Sequence, residues 1–117
     1  MRQPEHHDQV ALFRWAGHQQ RRLPELSLLF AIPNGGHRHP ATAAKLKAEG
    51  VKAGVPDICL PVARGEYHGL FIEMKAGRNK PTQPQVAWHV RLSAEGHRVA
   101  VCYGWQAAID VIEEYLR

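Results

Sequence analysis

Cysteine is scarce: the 117-residue sequence has two, Cys59 and Cys102. Both sit in apolar runs (DICLPV and VAVCYG), where a thiol behaves as a small hydrophobe, so a disulfide framework is not the expected source of stability. Long apolar runs are lacking too. None approaches the roughly 18–20 residues that cross a bilayer, and the opening MRQPEHHDQ has no apolar stretch of the kind a signal peptide needs. The expectation is therefore a cytoplasmic protein that does not enter a membrane. There is no internal repeat, low-complexity tract or linker, which predicts one domain over residues 1–117. A Gly-rich phosphate loop, a Ser/His/Asp set with its local signature and a heptad pattern are all missing, and those function classes are set aside.

What is present is the composition of an ordinary globular chain, 44% apolar and 22% charged, which excludes wholesale disorder. Fifteen Lys and Arg against eleven Asp and Glu give a formal charge of +4, with eight histidines in addition. Between Arg38 and Arg98 lie ten basic and five acidic residues, whereas residues 110–117 carry three acids and one Arg. The basic middle suits an anionic partner, and a divalent metal held by acids within it would satisfy both charge patterns.

Pro4 and the apolar positions Val10, Leu12, Phe13 and Ala16 predict a first helix through about Gln20. The run 26–32, ending at Pro33-Asn34-Gly35-Gly36, reads as a buried strand. Pro40 opens a short helix that Gly50 closes. Residues 56–62 and 69–75 read as two strands of an antiparallel hairpin. Thr82 then caps a helix containing Val86, Trp88, His89 and Leu92 that stops at Gly96. Residues 97–103 form another strand and 105–116 a closing amphipathic helix. The order is α-β-α-β-β-α-β-α, an α/β fold with a mixed sheet flanked by helices.

The most informative feature is Pro56-Asp57 followed by Glu73-Met74-Lys75. Side chains alternate along a strand, so Glu73 and Lys75 share one face while Leu70, Ile72 and Met74 fill the core on the other. Hairpin pairing brings Asp57 alongside, giving two carboxylates and an ammonium at one place. Hard cations such as Mg²⁺ take carboxylate oxygens together with water and substrate phosphate. A lysine beside them can position or deprotonate water and neutralise a pentavalent transition state, so the set suits phosphodiester hydrolysis. The plainer alternative is a turn-capping Asp57 and an exposed edge-strand ion pair between Glu73 and Lys75.

The spacing PD-x15-E-x-K resembles the motif of the PD-(D/E)XK nuclease superfamily, with its restriction-endonuclease-like core. More narrowly, HDQVALFRWA, FAIPNGGHRHPATAAKLKAEGVKAGVPDICLPV, GLFIEMKAGRNKPTQPQ and VAVCYGW resemble a stand-alone VRR-NUC domain of phages and bacteria. The resemblance implies an Mg²⁺- or Mn²⁺-dependent DNA endonuclease acting as a homodimer, with an architecture similar to Holliday-junction resolvases. It makes Asp57, Glu73 and the Met74 backbone carbonyl metal ligands and Lys75 the catalytic lysine. It also implies an acid on the first helix with a glutamine one turn later, a spacing Glu5 and Gln9 have, with Asp8 as competitor for the acid. Gln85 matches a glutamine near the nucleophile or a phosphate.

Small size and the lack of a recognition module favour branched or duplex DNA read through its backbone. Asn34, Gly35 and Arg38, in a glycine-rich turn, are candidate phosphate contacts, and Lys45, Lys47, Lys52, Arg78 and Lys80 candidate backbone-tracking groups. His37 and His39 form at most half a zinc site. Trp15, Trp88 and Trp105 are read as core or interface in preference to base-stacking groups. A non-catalytic DNA-binding accessory, or a nuclease active only within a larger replication or repair complex, is the alternative function.

Overall fold

The computed structural model describes residues 3–33 and 39–117. In chain order it contains helix α1 (Gln3–His18), a 3-10 turn (Pro24–Leu28), strand β1 (Phe30–Ala31), helix α2 (Pro40–Ala48), strands β2 (Ile58–Leu60) and β3 (Leu70–Lys75), helix α3 (Gln83–Ala94), strand β4 (Arg98–Tyr103) and helix α4 (Trp105–Leu116). The α/β order and the mixed sheet expected from the sequence are both found. The strands lie in the order β1-β2-β3-β4; β2 is antiparallel to both of its neighbours, and β4 is parallel to β3.

Alternation along β3 splits the molecule into two sides. Leu70, Ile72 and Met74 are fully buried and join Leu12 and Ala16 of α1 and Ala108, Ile112, Tyr115 and Leu116 of α4 in one core. That α4 does this follows from its strongly one-sided apolar pattern, in which Ala108, Ile112 and Tyr115 recur at helical spacing. Residues Phe71, Glu73 and Lys75 face the other way, toward α3, whose His89 and Gln85 reach Glu73. Trp15 and Trp105 pack against the core, while Trp88 donates its indole N–H to the Ala53 carbonyl at 3.2 Å and ties α3 to the chain leading into β2. Cys59 and Cys102 are free and buried, as their apolar surroundings predict.

Three expectations change. The run 26–32 is not a continuous strand. Pro24 opens a 3-10 turn in which Leu26 N–H bonds to Leu23 C=O and Leu29 N–H to Leu26 C=O, and the strand proper is only Phe30–Ala31. A period of three buries Leu26 and Leu29 together and leaves Leu28 and Phe30 about half exposed, so local helical pairing competes successfully with extension. Val10 on α1 and Val86 on α3, read as apolar-face positions, are both more than 40% exposed. On α1 the inward stripe runs instead through Glu5, Leu12 and Ala16, because its first turn faces the polar end of the sheet.

Glycine is required at Gly54, which has φ of +89° and where a Cβ would stand 3.0 Å from the Pro84 carbonyl carbon and oxygen and from Trp88 Cδ1. Gly50 has a similar φ of +98° but open space around it. Backbone strain alone costs roughly 1–3 kcal/mol at such positions. Urea denaturation is therefore expected to show a loss of that size for Gly50→Ala and a larger one for Gly54→Ala.

Candidate active site

The β2–β3 register pairs Ile58 with Ile72 and Leu60 with Leu70. One further step in the same register sets Asp57 opposite Glu73, and directly opposed residues share a face. Asp57, Glu73 and Lys75 are 4%, 1% and 8% exposed. Strand β3 is interior to the sheet, so an exposed edge-strand ion pair does not describe this set. The three groups that the sequence spacing linked are brought together.

Asp57 is anchored at both ends. Its Oδ2 accepts the Met74 N–H at 2.7 Å, and its own carbonyl accepts the Ile32 N–H at 2.7 Å. The side chain thus stands in for the ladder partner that β3 loses where β2 begins. The N–H and C=O of one strand residue leave on the same edge, so the Met74 carbonyl faces the Asp57 side of β3.

Glu73 is held from α3. Its Oε1 lies 3.2 Å from His89 Nε2, and its Oε2 accepts from Gln85 Nε2 at 3.4 Å. Gln85 also completes a capping box. Its Oε1 accepts the Thr82 N–H at 2.8 Å while Thr82 Oγ1 accepts the Gln85 N–H at 3.4 Å. The residues that start α3 therefore also fix a carboxylate on the sheet. His89 is a site residue the sequence reading passed over as part of a helix face. The available signal was its spacing of four from Gln85, which puts both on one side of a helix.

The first helix separates its two acids. Glu5 is buried and close enough to Glu73 to raise its pKa. Asp8 turns elsewhere: its Oδ1 accepts the Trp105 N–H at 3.3 Å, supplying the start of α4 with the acceptor that Gly104 at the N-cap lacks. Gln9, one turn beyond Glu5, has a buried Oε1 with no hydrogen-bond partner among the described residues.

Among the candidate nucleic-acid contacts, Lys45, Lys47, Lys52, Arg78 and Lys80 are all exposed. Lys45 and Lys47 occupy the last turn of α2, a helix with no buried residue, and Arg78 and Lys80 follow the end of β3. The excursion carrying Lys45 and Lys52 leaves and returns beside Asp57, where Ile32 bonds it. Asn34, Gly35, Arg38 and His37 lie outside the described residues. His39 Nδ1 accepts the Ala41 N–H at 3.2 Å and caps α2.

Burial pushes the Glu73 carboxyl up to about 9, with a hydrogen bond to Asp57, the Asp57 charge and the Glu5 charge adding to the effect and Lys75 opposing it. Burial, together with Lys75, moves His89 down, against an opposing pull from Asp57. Two buried carboxyl groups face each other and Glu73 is pushed toward its neutral form, which is the electrostatic setting a hard dication relieves. Among the described residues no group of three or more His, Cys, Asp or Glu forms a ready-made metal cage. Mg²⁺ is nevertheless commonly bound through one or two carboxylates plus substrate and water, and the Asp57 and Glu73 oxygens fit that mode.

A mixed α/β domain with a carboxylate–lysine cluster on the inner strand of its sheet is the class that fold and site define. The VRR-NUC domain model matches residues 4–106, and the chain belongs to the VRR-NUC family, a family of nuclease domains. A solved structure described as a VRR_NUC domain protein is similar over 99% of this chain and 90% of its own, at 32% identity and a TM-score of 0.80. A protein of Acyrthosiphon pisum secondary endosymbiont phage 1, named "Putative nuclease p44", is 42% identical over 50 residues, 43% of this chain. That match spans about half (52%) of the phage protein's length. Among the described residues no helix is long and apolar enough to cross a membrane.

The raised Glu73 pKa has a consequence for stability. Between the ordinary value of 4.5 and about 9 the folded metal-free protein holds a proton that the unfolded chain has released. Stability must then be greatest on the acid side of this window and fall as pH rises through it. Thermal melts of metal-free protein are expected to show this decline, and Glu73→Gln, which carries no titrating proton, is expected to flatten it. An equally steep decline in the Glu73→Gln variant would assign the effect to other groups.

Proposed function

We propose that the protein is an Mg²⁺- or Mn²⁺-dependent endonuclease that hydrolyses phosphodiester bonds in DNA and leaves a 5′ phosphate. The observation that carries this reading is the buried opposition of Asp57 and Glu73 with Lys75 on the same face. Asp57, Glu73 and the Met74 carbonyl would hold the cation, with Glu5 completing its surroundings. When bound, the cation supplies charge neutralisation at the scissile phosphate and a lowered pKa for attacking water.

The chain's own residues do the rest. Lys75 has an ammonium beside the two acids, suited to orienting water and to neutralising charge on the pentavalent phosphorus. Gln9, with its unpartnered acceptor, suits orientation of a water from the α1 side. Gln85 has its amide shared between Glu73 and the helix cap, and its remaining N–H is the part free to meet a phosphate.

The exposed Lys45, Lys52, Arg78 and Lys80 would follow the DNA backbone, with Asn34, Gly35 and Arg38 of the preceding turn assigned to the same role. Small size favours recognition of branched or duplex shape over base sequence. A two-fold homodimer would oppose two sites across a four-way junction.

The decisive experiment is cleavage of end-labelled four-way junction, splayed duplex and linear duplex with Mg²⁺, Mn²⁺ or EDTA. Wild type is expected to cut only with metal and to cut the junction fastest. Lys75→Ala is expected to lose most of the rate while still binding DNA. Metal-independent cutting, or full activity in Lys75→Ala, would sink the reading. A second measurement addresses the backbone contacts, since each phosphate neutralised contributes about 0.9 to the slope of log affinity against log salt. Replacing Lys45, Lys52, Arg78 and Lys80 together by Ala should lower that slope by roughly three to four, and an unchanged slope would move the DNA elsewhere on the surface.

A further inference from the structure

We propose that His89 is a positioning residue that holds Glu73 in place for cation binding, an inference that rests on the reading of Glu73 as a metal ligand. Asp57 and Glu73 repel each other once both are ionised, and both must converge on one ion. A carboxylate on a strand has rotational freedom about its terminal bonds, so repulsion alone would turn Glu73 away from Asp57. What opposes this turn comes from α3. His89 Nε2 reaches Oε1 at 3.2 Å, and Gln85 reaches Oε2 at the longer distance of 3.4 Å.

These two donors are not equivalent. The Gln85 amide is already committed at its oxygen to the Thr82 N–H, so its position answers to the helix cap as well as to Glu73. The His89 ring, one turn further along, is 13% exposed in its side chain, and its Nε2 is directed at Glu73. A carboxylate ligand is deprotonated when it binds a metal, so this hydrogen bond requires the ring proton on Nε2. Imidazole donating to a ligating carboxylate fixes the orientation of that ligand and leaves its outward lone pairs for the ion. Trp88, the preceding residue, donates its indole N–H to the Ala53 carbonyl and so ties the same helix to the chain that leads into β2.

The test is Mn²⁺ binding to the full chain without DNA, followed by electron paramagnetic resonance. His89→Ala should weaken binding by about 10–100-fold, the usual effect of losing an outer hydrogen bond to a metal ligand. His89→Gln places an N–H at similar reach and should recover most of that loss. In cleavage assays His89→Ala should raise the metal concentration for half-maximal rate by the same factor, with a smaller effect on the rate at saturating metal. Unchanged Mn²⁺ affinity in His89→Ala, or a Gln variant as weak as the Ala variant, would overturn the inference. Asp57→Asn separates the two levels of the argument. If it abolishes Mn²⁺ binding and His89→Ala does not weaken it, His89 alone is misassigned. If it leaves binding intact, the metal-site reading fails and this inference falls with it.

Discussion

The burial of two carboxyl groups opposite each other on adjacent strands is the constraint around which this molecule is arranged. Neither acid can be moved without cost, because Asp57 substitutes for a missing ladder partner of Met74 and Glu73 projects from the interior strand of the sheet. Glu73 cannot stay ionised at low cost without nearby positive charge or hydrogen-bond donors. Lys75, His89 and Gln85 supply part of what is needed from within the fold. The remaining cost of burying both acids is what the proposed divalent cation would relieve.

Helix α3 carries more of this arrangement than its packing suggests. It has no fully buried residue, and Val90 on its outer side is 63% exposed. Its importance is polar: a capping box fixes its start, the same glutamine touches Glu73, His89 follows one turn later, and Trp88 latches the segment before Asp57. Helices α1 and α4, by contrast, build the apolar core on the opposite face of the sheet. The apolar core and the acids thus lie on different faces of β3. On α1, Asp8 and Glu5, three residues apart, turn to different ends, one serving the start of α4 and the other close enough to Glu73 to act on it.

Much of this was legible in the chain, for specific reasons. The closing helix Trp105–Leu116 and the capped helix after Thr82 carry periodicity and cap residues strong enough to define them locally. The β2–β3 hairpin was legible because two short apolar runs flank a turn, but the register that sets Asp57 against Glu73 was decided by the fold. The run Leu26 to Ile32 misled because uninterrupted apolar sequence is compatible with a strand and with a 3-10 turn alike. Pro24 and the burial of Leu26 and Leu29 decided for the turn. His89 was passed over because a histidine among valines and a tryptophan looks like helix filler until the carboxylate it meets is known.

By itself, the sequence determined the types of most elements, the antiparallel hairpin, the shared face of Glu73 and Lys75, and the family resemblance that residues 4–106 support. These follow from short-range rules, namely the strand period of two, the helix period of 3.6 and the preferences of caps and turns. Tertiary structure alone decided that the acids are buried, which of Glu5 and Asp8 turns toward them, and that α3 holds Glu73 through two side chains. Those facts depend on groups distant along the chain. Charge burial and hydrogen bonding are set by the distance between side chains in space, and no local period encodes that distance.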